Sequence, residues 1–114
     1  MTNNLSQTPA DVFAAVAHPK RRQILDCLSE GDLTVKHLSA QFADVSRPAI
    51  SQHLAILLDA GLVTRHRTGR ENRYHLEAEA LQEIEHWLQH YRQFWNHKLD
   101  DLGQYLQRKH GDAT

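Results

Sequence analysis

The chain has 114 residues, a formal net charge of −1, 40% hydrophobic and 24% charged side chains, five glycines and three prolines. This is enough chain for one buried core and too little Gly and Pro for a disordered polymer, and the near-neutral total excludes an indiscriminate polyanion binder. With no apolar run of about 18 residues and no basic-then-apolar leader in MTNNLSQ, the reading is a cytoplasmic protein with no membrane partner.

Residues 1–7 carry no apolar periodicity and are expected to be disordered. Thr8-Pro9-Ala10-Asp11 is expected to open a first helix, with a capping hydroxyl, proline at the first helical position and a carboxylate in the first turn. Pro19 ends that helix near His18 and begins a second, PKRRQILDCLSE, which Gly31 stops. Its Cys27, the single cysteine, has no partner for an internal disulfide and is expected as a buried core thiol. Thr34 caps a short third helix with Val35, Leu38 and Phe42 on one face. Ser46 caps a fourth with Pro48 in its first turn, and Ile50, Leu54, Leu57 and Leu58 follow the spacing of a core-facing stripe up to Gly61.

After Gly61 the period changes. LVTRHRT and ENRYHL flank Gly69-Arg70 as two short strands of a β-hairpin. From about Ala78 to Lys109 there is no proline, so one long helix closes the chain. The fold class is mostly α with a small hairpin, in the order α-α-α-α-β-β-α. One domain is expected over residues 8–109, followed by a tail at 110–114.

Two short helices joined by ADV have the layout of a helix-turn-helix, over residues 34–60, whose second helix lies in a DNA major groove. With Ile50 pointing inward, steps of about 100° per residue turn Pro48, Ser51, Gln52 and Ala55 outward, with Arg47 at the edge. Gln and Arg pair with adenine and guanine edges, Ser reaches base or phosphate, and small residues permit close approach. His53 points back toward the core edge and is assigned to packing or a phosphate. A capped helix with a polar outer face is also the commonest kind of surface helix. The hairpin tips the balance: Arg65, Arg67, Arg70 and Arg73 make it a basic wing over residues 62–76 that suits phosphates or a minor groove. The competing reading is that alternate arginines merely solvate an exposed edge. Charge is also graded, with nine basic against six acidic residues from His18 to His75 and four against seven from Leu76 onward. The middle of the chain, not its last third, suits a polyanion.

SRPAISQHLAILLDAGLVTRHRTGRENRYHL resembles the recognition helix and wing of the ArsR/SmtB family of bacterial winged-helix repressors, and VFAAVAHPKRRQILDCL resembles that family's opening helices. The resemblance spans about residues 10 to 106, with order, spacing and the phrase SQHLAILLDAGLV agreeing together. It implies a homodimer built on the first and last helices, bound to an imperfect palindromic DNA operator and released by a signal. Carried over by position, Ser46, Arg47, Pro48, Ser51 and Gln52 read bases, and Arg67 and Arg70, with Arg65, serve the wing. Thr34 and Lys36 lie near the DNA backbone. The interface falls on Val12, Phe13, Trp87, Leu88, Tyr91, Trp95, Leu99 and Leu102, the last six on a dimerisation helix over 78–109.

The family's metal ligands do not map onto this chain. A Cys-x-Cys pair would fall on Thr34 and Lys36, which do not bind soft metals. Ligands two and four residues after Leu76 would be Ala78 and Ala80. His86 and His97 have the eleven-residue separation of the family's other site, with Asp100 nearby, but Ile84 stands where its first carboxylate is required. With Leu81 inward, Ile84, Leu88, Tyr91, Trp95, Leu99, Leu102 and Leu106 form one stripe, with Trp87, Phe94 and Tyr105 on its flank. His86, His90 and His97 lie almost opposite, on a wet face. The expectation is therefore a repressor with no metal site and no cofactor. Its rivals are a zinc-responsive repressor using the last-helix histidines and a winged-helix module that binds only proteins. A small organic effector between Trp87, Tyr91 and Trp95 stays open. Catalytic residues are none: no nucleophile with a base, Gly-rich phosphate loop or paired carboxylates can be identified.

Overall fold

The computed structural model describes residues 11–113, of which 99, 100 and 109–113 are described by backbone alone. The elements are α1 (Val12–Val16), α2 (Pro19–Leu28), β1 (Leu33–Thr34), α3 (Val35–Ala40), α4 (Arg47–Asp59), β2 (Val63–Thr68), β3 (Glu71–Leu76), a 3-10 turn (Ala78–Leu81) and α5 (Gln82–Ala113). Residues up to Gln82 form one compact unit and those from Glu83 a second.

In the first unit each helix begins where a side chain satisfies an otherwise orphaned backbone N–H. Asp11 is extended (ψ 167°) and its Oδ1 accepts from Ala14 N at 2.7 Å, so it caps α1 instead of lying in its first turn. Thr8, Pro9 and Ala10, like the rest of residues 1–10, lie outside the described residues. His18 is held extended ahead of Pro19 and its Nδ1 accepts from Lys20 N at 3.1 Å, ending α1 and opening α2. Thr34 accepts from His37 N at 3.2 Å and Ser46 from Ala49 N at 3.3 Å, so α3 and α4 start where their caps were expected.

The core collects one side of every helix in this unit. Ile24, Leu38, Ile50, Leu54, Leu57, Leu62 and Val63 are essentially solvent-free, each contributing about 1.5–3 kcal/mol on burial. Three positions depart from the expected pattern. Leu58 is only half-buried, being the last member of the α4 stripe. Phe42 is buried but lies beyond the end of α3. Cys27 is half-buried, its Sγ 3.5 Å from Gln41 Oε1, because it sits one step off the Ile24, Leu25, Leu28 face.

The hairpin belongs to a three-stranded sheet of order β1-β3-β2. β1 was not foreseen. It pairs antiparallel with β3, Leu33 opposite Tyr74 and Thr34 opposite Arg73, while β2 pairs with β3 from Val63–Leu76 to Thr68–Glu71. Gly69 takes φ +64° and Arg70 has no positive φ, the sign pattern of a type II′ turn.

The chain after the wing also departs from a single helix beginning at Ala78. Glu77 has φ −101° and ψ 82°, and Ala78–Leu81 winds as a tighter 3-10 turn before α5 begins at Gln82. On α5, Trp87, Tyr91, Phe94, Trp95, Leu102, Tyr105 and Leu106 are 41–61% exposed, and Leu88 is half-buried. The apolar stripe is continuous but largely wet. No helix among the described residues is long and apolar enough to cross a membrane.

Candidate nucleic-acid interface

The outer face of α4 is polar because its inner face is fixed by Ile50, Leu54 and Leu57. Arg47, Pro48, Ser51, Gln52 and Ala55 are all exposed, as is the cap Ser46. The Ser46 Oγ is already accepting from Ala49 N, which leaves its hydroxyl proton for an outside acceptor. Lys36 on α3 is exposed as well. Thr34 differs: it is 3% exposed, and its hydroxyl accepts from His37 N and lies 3.1 Å from His37 Nδ1. Its hydroxyl starts α3.

The wing is rooted in the core and wet at its tip. Val63 and Tyr74 are buried at the root, whereas Arg65, Arg67 and Arg70 are exposed farther out. Arg65 and Arg67 share one face of the sheet, opposite Tyr74 and Asn72, while His66 and Arg73 share the other. Six residues per strand give the hairpin a reach of about 17 Å.

The structure brings the wing turn to the helix-turn-helix. Lys36, Arg47 and Arg70, with Thr34, Val35, Glu71 and Asn72, line a cavity of about 190 Å³. Three cations from three elements thus converge on one cleft suited to an anionic oxygen. Glu71 and Asn72 are its unanticipated members. The register that sets Asn72 opposite Arg67 was the signal that could have found the asparagine.

Not every cation in the basic middle of the chain is available for an outside partner. Lys20 Nζ is 2.7 Å from Asp44 Oδ2 and 5.4 Å from the centre of the Phe42 ring, tying α2 to the turn before α4. This pairing holds the Asp44 carboxyl below its ordinary pKa. Arg22 Nη1 donates to Val16 O at 2.7 Å, and Arg21 Nε donates to Ala15 O at 2.7 Å. Arg21 Nη2 also donates to Ala14 O at 3.3 Å, and its Nη1 meets His53 Nδ1 at 3.3 Å. The His53 ring packs on His18 with centroids 4.6 Å apart, so His53 is a packing residue. Burial, then His18 and Arg21, push its pKa down. On the outer side of the sheet His75 Nδ1 is 2.7 Å from Asp32 Oδ1, and that carboxylate raises its pKa.

On α5, Trp87, Leu88, Tyr91, Phe94, Trp95 and Lys98 line an open apolar groove, with Trp87 and Tyr91 edge to face at 5.4 Å. His86, His90 and His97 are exposed; His97 Nε2 lies 3.5 Å from Asp101 Oδ2. No group of three or more His, Cys, Asp or Glu among the described residues is placed to hold a metal ion. Side chains at Leu99 and Asp100 lie outside the described set. Val12 is buried and Phe13 half-buried on α1.

A helix-turn-helix followed by a basic two-stranded wing defines a winged-helix DNA-binding protein. Residues 18–65 match the family model described as "Bacterial regulatory protein, arsR family". The chain is 40% identical over 78 residues to the transcriptional repressor SdpR of Bacillus subtilis, covering 68% of this chain and 86% of that protein. It is 34% identical over 108 residues to the HTH-type transcriptional regulator Rv2034 of Mycobacterium tuberculosis, covering 95% and 96%. The solved structure of an ArsR-like transcriptional regulator from Rhodococcus sp. RHA1 superposes with a TM-score of 0.64 at 31% identity, covering 90% of this chain and 95% of that one. The chain belongs to the ArsR family of DNA-binding transcriptional regulators, and it is not an enzyme.

Proposed function

We propose that the protein is a homodimeric repressor that binds a palindromic operator and is not metal-sensing. The observation that carries this reading is the exposed Arg47, Ser51 and Gln52 face beside a wing bearing Arg65, Arg67 and Arg70. Ser51, Gln52 and Arg47 read base edges, with Pro48 permitting close approach; Lys36, Arg65, Arg67 and Arg70 hold phosphates, and Ser46 donates at the helix start. Two such helices in successive major grooves stand about 34 Å apart. The exposed aromatic face of α5 supplies the dimer seam through Trp87, Leu88, Tyr91, Trp95 and Leu102; Leu99 continues this stripe in the sequence. The reading without metal rests on the ligand positions: Thr34 and Lys36 stand where a Cys-x-Cys pair would fall, and Ile84 stands where the first carboxylate of the last-helix site is required.

The test is footprinting on the DNA upstream of its own gene, followed by anisotropy on the protected duplex. Arg67→Ala weakens all sequences alike and lowers the salt slope by about 1, while Gln52→Ala changes base preference. Unchanged operator affinity in both variants would falsify the DNA assignment.

A further inference from the structure

The attachment of α4 to the helices beneath it depends on two imidazoles being neutral. A guanidinium only donates, so the 3.3 Å contact from Arg21 Nη1 makes His53 Nδ1 the acceptor and places the ring proton on Nε2. His18 is under the same constraint, because its Nδ1 accepts from Lys20 N at 3.1 Å and so caps α2. The two rings are in contact, centroids 4.6 Å apart. The same Arg21 holds the Ala14 and Ala15 carbonyls at the end of α1. One guanidinium and two histidines therefore join α1, α2 and the DNA-reading helix.

Protonating His53 at Nδ1 would turn this acceptor into a donor aimed at a donor. It would also set a new cation against Arg21 and His18. Few other groups are placed to offset this among the described residues. α1 carries no ionisable side chain from Val12 to Val16. On α2, Lys20 is paired with Asp44, Arg22 holds Val16 O, and Asp26 is exposed. On α3, His37 bonds Thr34 and Lys36 is exposed; on β2, His66 bonds Thr64, and Arg65 and Arg67 are exposed.

We propose that the His18, Arg21 and His53 cluster is a proton-sensitive anchor for α4, which acid loosens so that the protein loses its discrimination between DNA sequences. This rests on the DNA-binding reading above for its consequence, but not for the anchor itself. The depressed pKa of His53 gives the sign. The anchor is whole above the ordinary histidine value of about 6.5 and is lost as the pH falls through the lower value of the folded state. Protonation of exposed histidines works the other way on total binding, adding charge that attracts any DNA. Selectivity, not affinity, therefore reports the anchor.

The test uses the full chain in two arms. Without DNA, imidazole proton–nitrogen spectra from pH 8 to pH 5 read tautomers directly: His53 and His18 are expected as Nε2–H forms at pH 8, with His53 titrating below the ordinary histidine value of about 6.5. An Nδ1–H form of His53 at pH 8, or a titration of His53 at or above about 6.5, overturns the proposal. With DNA, anisotropy at fixed ionic strength compares a duplex enriched from a random pool at pH 8 with its scrambled version. The ratio of the two affinities is expected to fall as the pH drops from 7.5 through the His53 titration read in the spectra, by up to about tenfold once the charge-assisted hydrogen bond is wholly lost. In His53→Asn, whose amide oxygen stands at the position of Nδ1 and accepts from Arg21 without titrating, the ratio stays within about threefold over that range. Equal pH dependence in the two proteins overturns the proposal. If the variant does not fold, the wild-type spectra decide it. If no duplex is bound at pH 8, the DNA reading fails and the spectra still judge the anchor.

Discussion

In the unit up to Gln82 the centre of the apolar stripe is sealed: Ile50, Leu54 and Leu57 of α4 have no exposed surface. In α5 the same spacing of apolar residues leaves Trp87 at 49%, Phe94 at 61% and Trp95 at 41% exposure. The histidines divide in the same way. His53 and His75 are tied to Arg21 and Asp32 on other elements, whereas the contacts of His86, His90 and His97 are with residues of α5 itself. Periodicity alone therefore does not say what a stripe packs against. The stripe of α4 is satisfied within its unit. That of α5 is the kind of large contiguous apolar surface that marks an interaction face.

The largest expected effect separates the two stripes. Leu54→Ala leaves a cavity in a core with no room to collapse and lowers stability by about 2–5 kcal/mol, seen in the urea midpoint at every protein concentration. On the proposed dimer seam, Trp95→Ala acts through association instead. A buried aromatic anchor is worth about 2 kcal/mol, so sedimentation should show the dimer dissociation constant rising about thirtyfold. The contrast breaks if Trp95→Ala lowers the unfolding midpoint and leaves the oligomeric state as it was.

A smaller effect sharpens the picture of the wing. A Cβ at Gly69 meets nothing within 4 Å, so Gly69→Ala tests the φ of +64° and no steric clash. The cost is about 1–2 kcal/mol for an L-residue in that region. It should appear as faster amide exchange in β2 and β3, with the exchange of α4 unchanged. Equal loosening of both would mean that the wing does not open independently of the core.

How far the sequence could be read follows from whether the determining contact is local. Thr34, Ser46, Gly69 and the α4 stripe act within four residues of themselves, and the caps, the turn and the buried face stand where these residues predict. β1 escaped because two residues carry no period; it exists only through pairing with Tyr74 and Arg73, about forty residues away. The basic excess in the middle of the chain, taken as a count, suits a polyanion. Lys20, Arg21 and Arg22 instead hold Asp44 and the carbonyls that end α1. Charge counts along a sequence cannot distinguish a cation that faces a partner from one that closes a helix. The cleft where Lys36, Arg47 and Arg70 meet was legible only as separate cations, because its shape depends on the register of the sheet.

The smallest expected effect concerns His53 and His75, whose pH dependences run in opposite directions. Asp32 raises the pKa of His75, so this pair favours the folded chain at pH below the ordinary histidine value of about 6.5. That contribution is lost as the pH rises through the higher value of the folded state. His53, with a lowered pKa, behaves in the reverse sense. The two terms overlap near neutrality and partly cancel in any global unfolding curve, so a flat curve would not show that either is missing. Asp32→Asn separates them. It removes the carboxylate that draws the proton onto His75 and keeps the shape of the side chain. Unfolding midpoints from pH 6 to pH 8 should then rise more steeply with pH than in the wild type, and the His75 resonance should titrate at a lower pH. An unchanged His75 titration would mean that the 2.7 Å contact between β3 and the loop after α2 does not persist in solution.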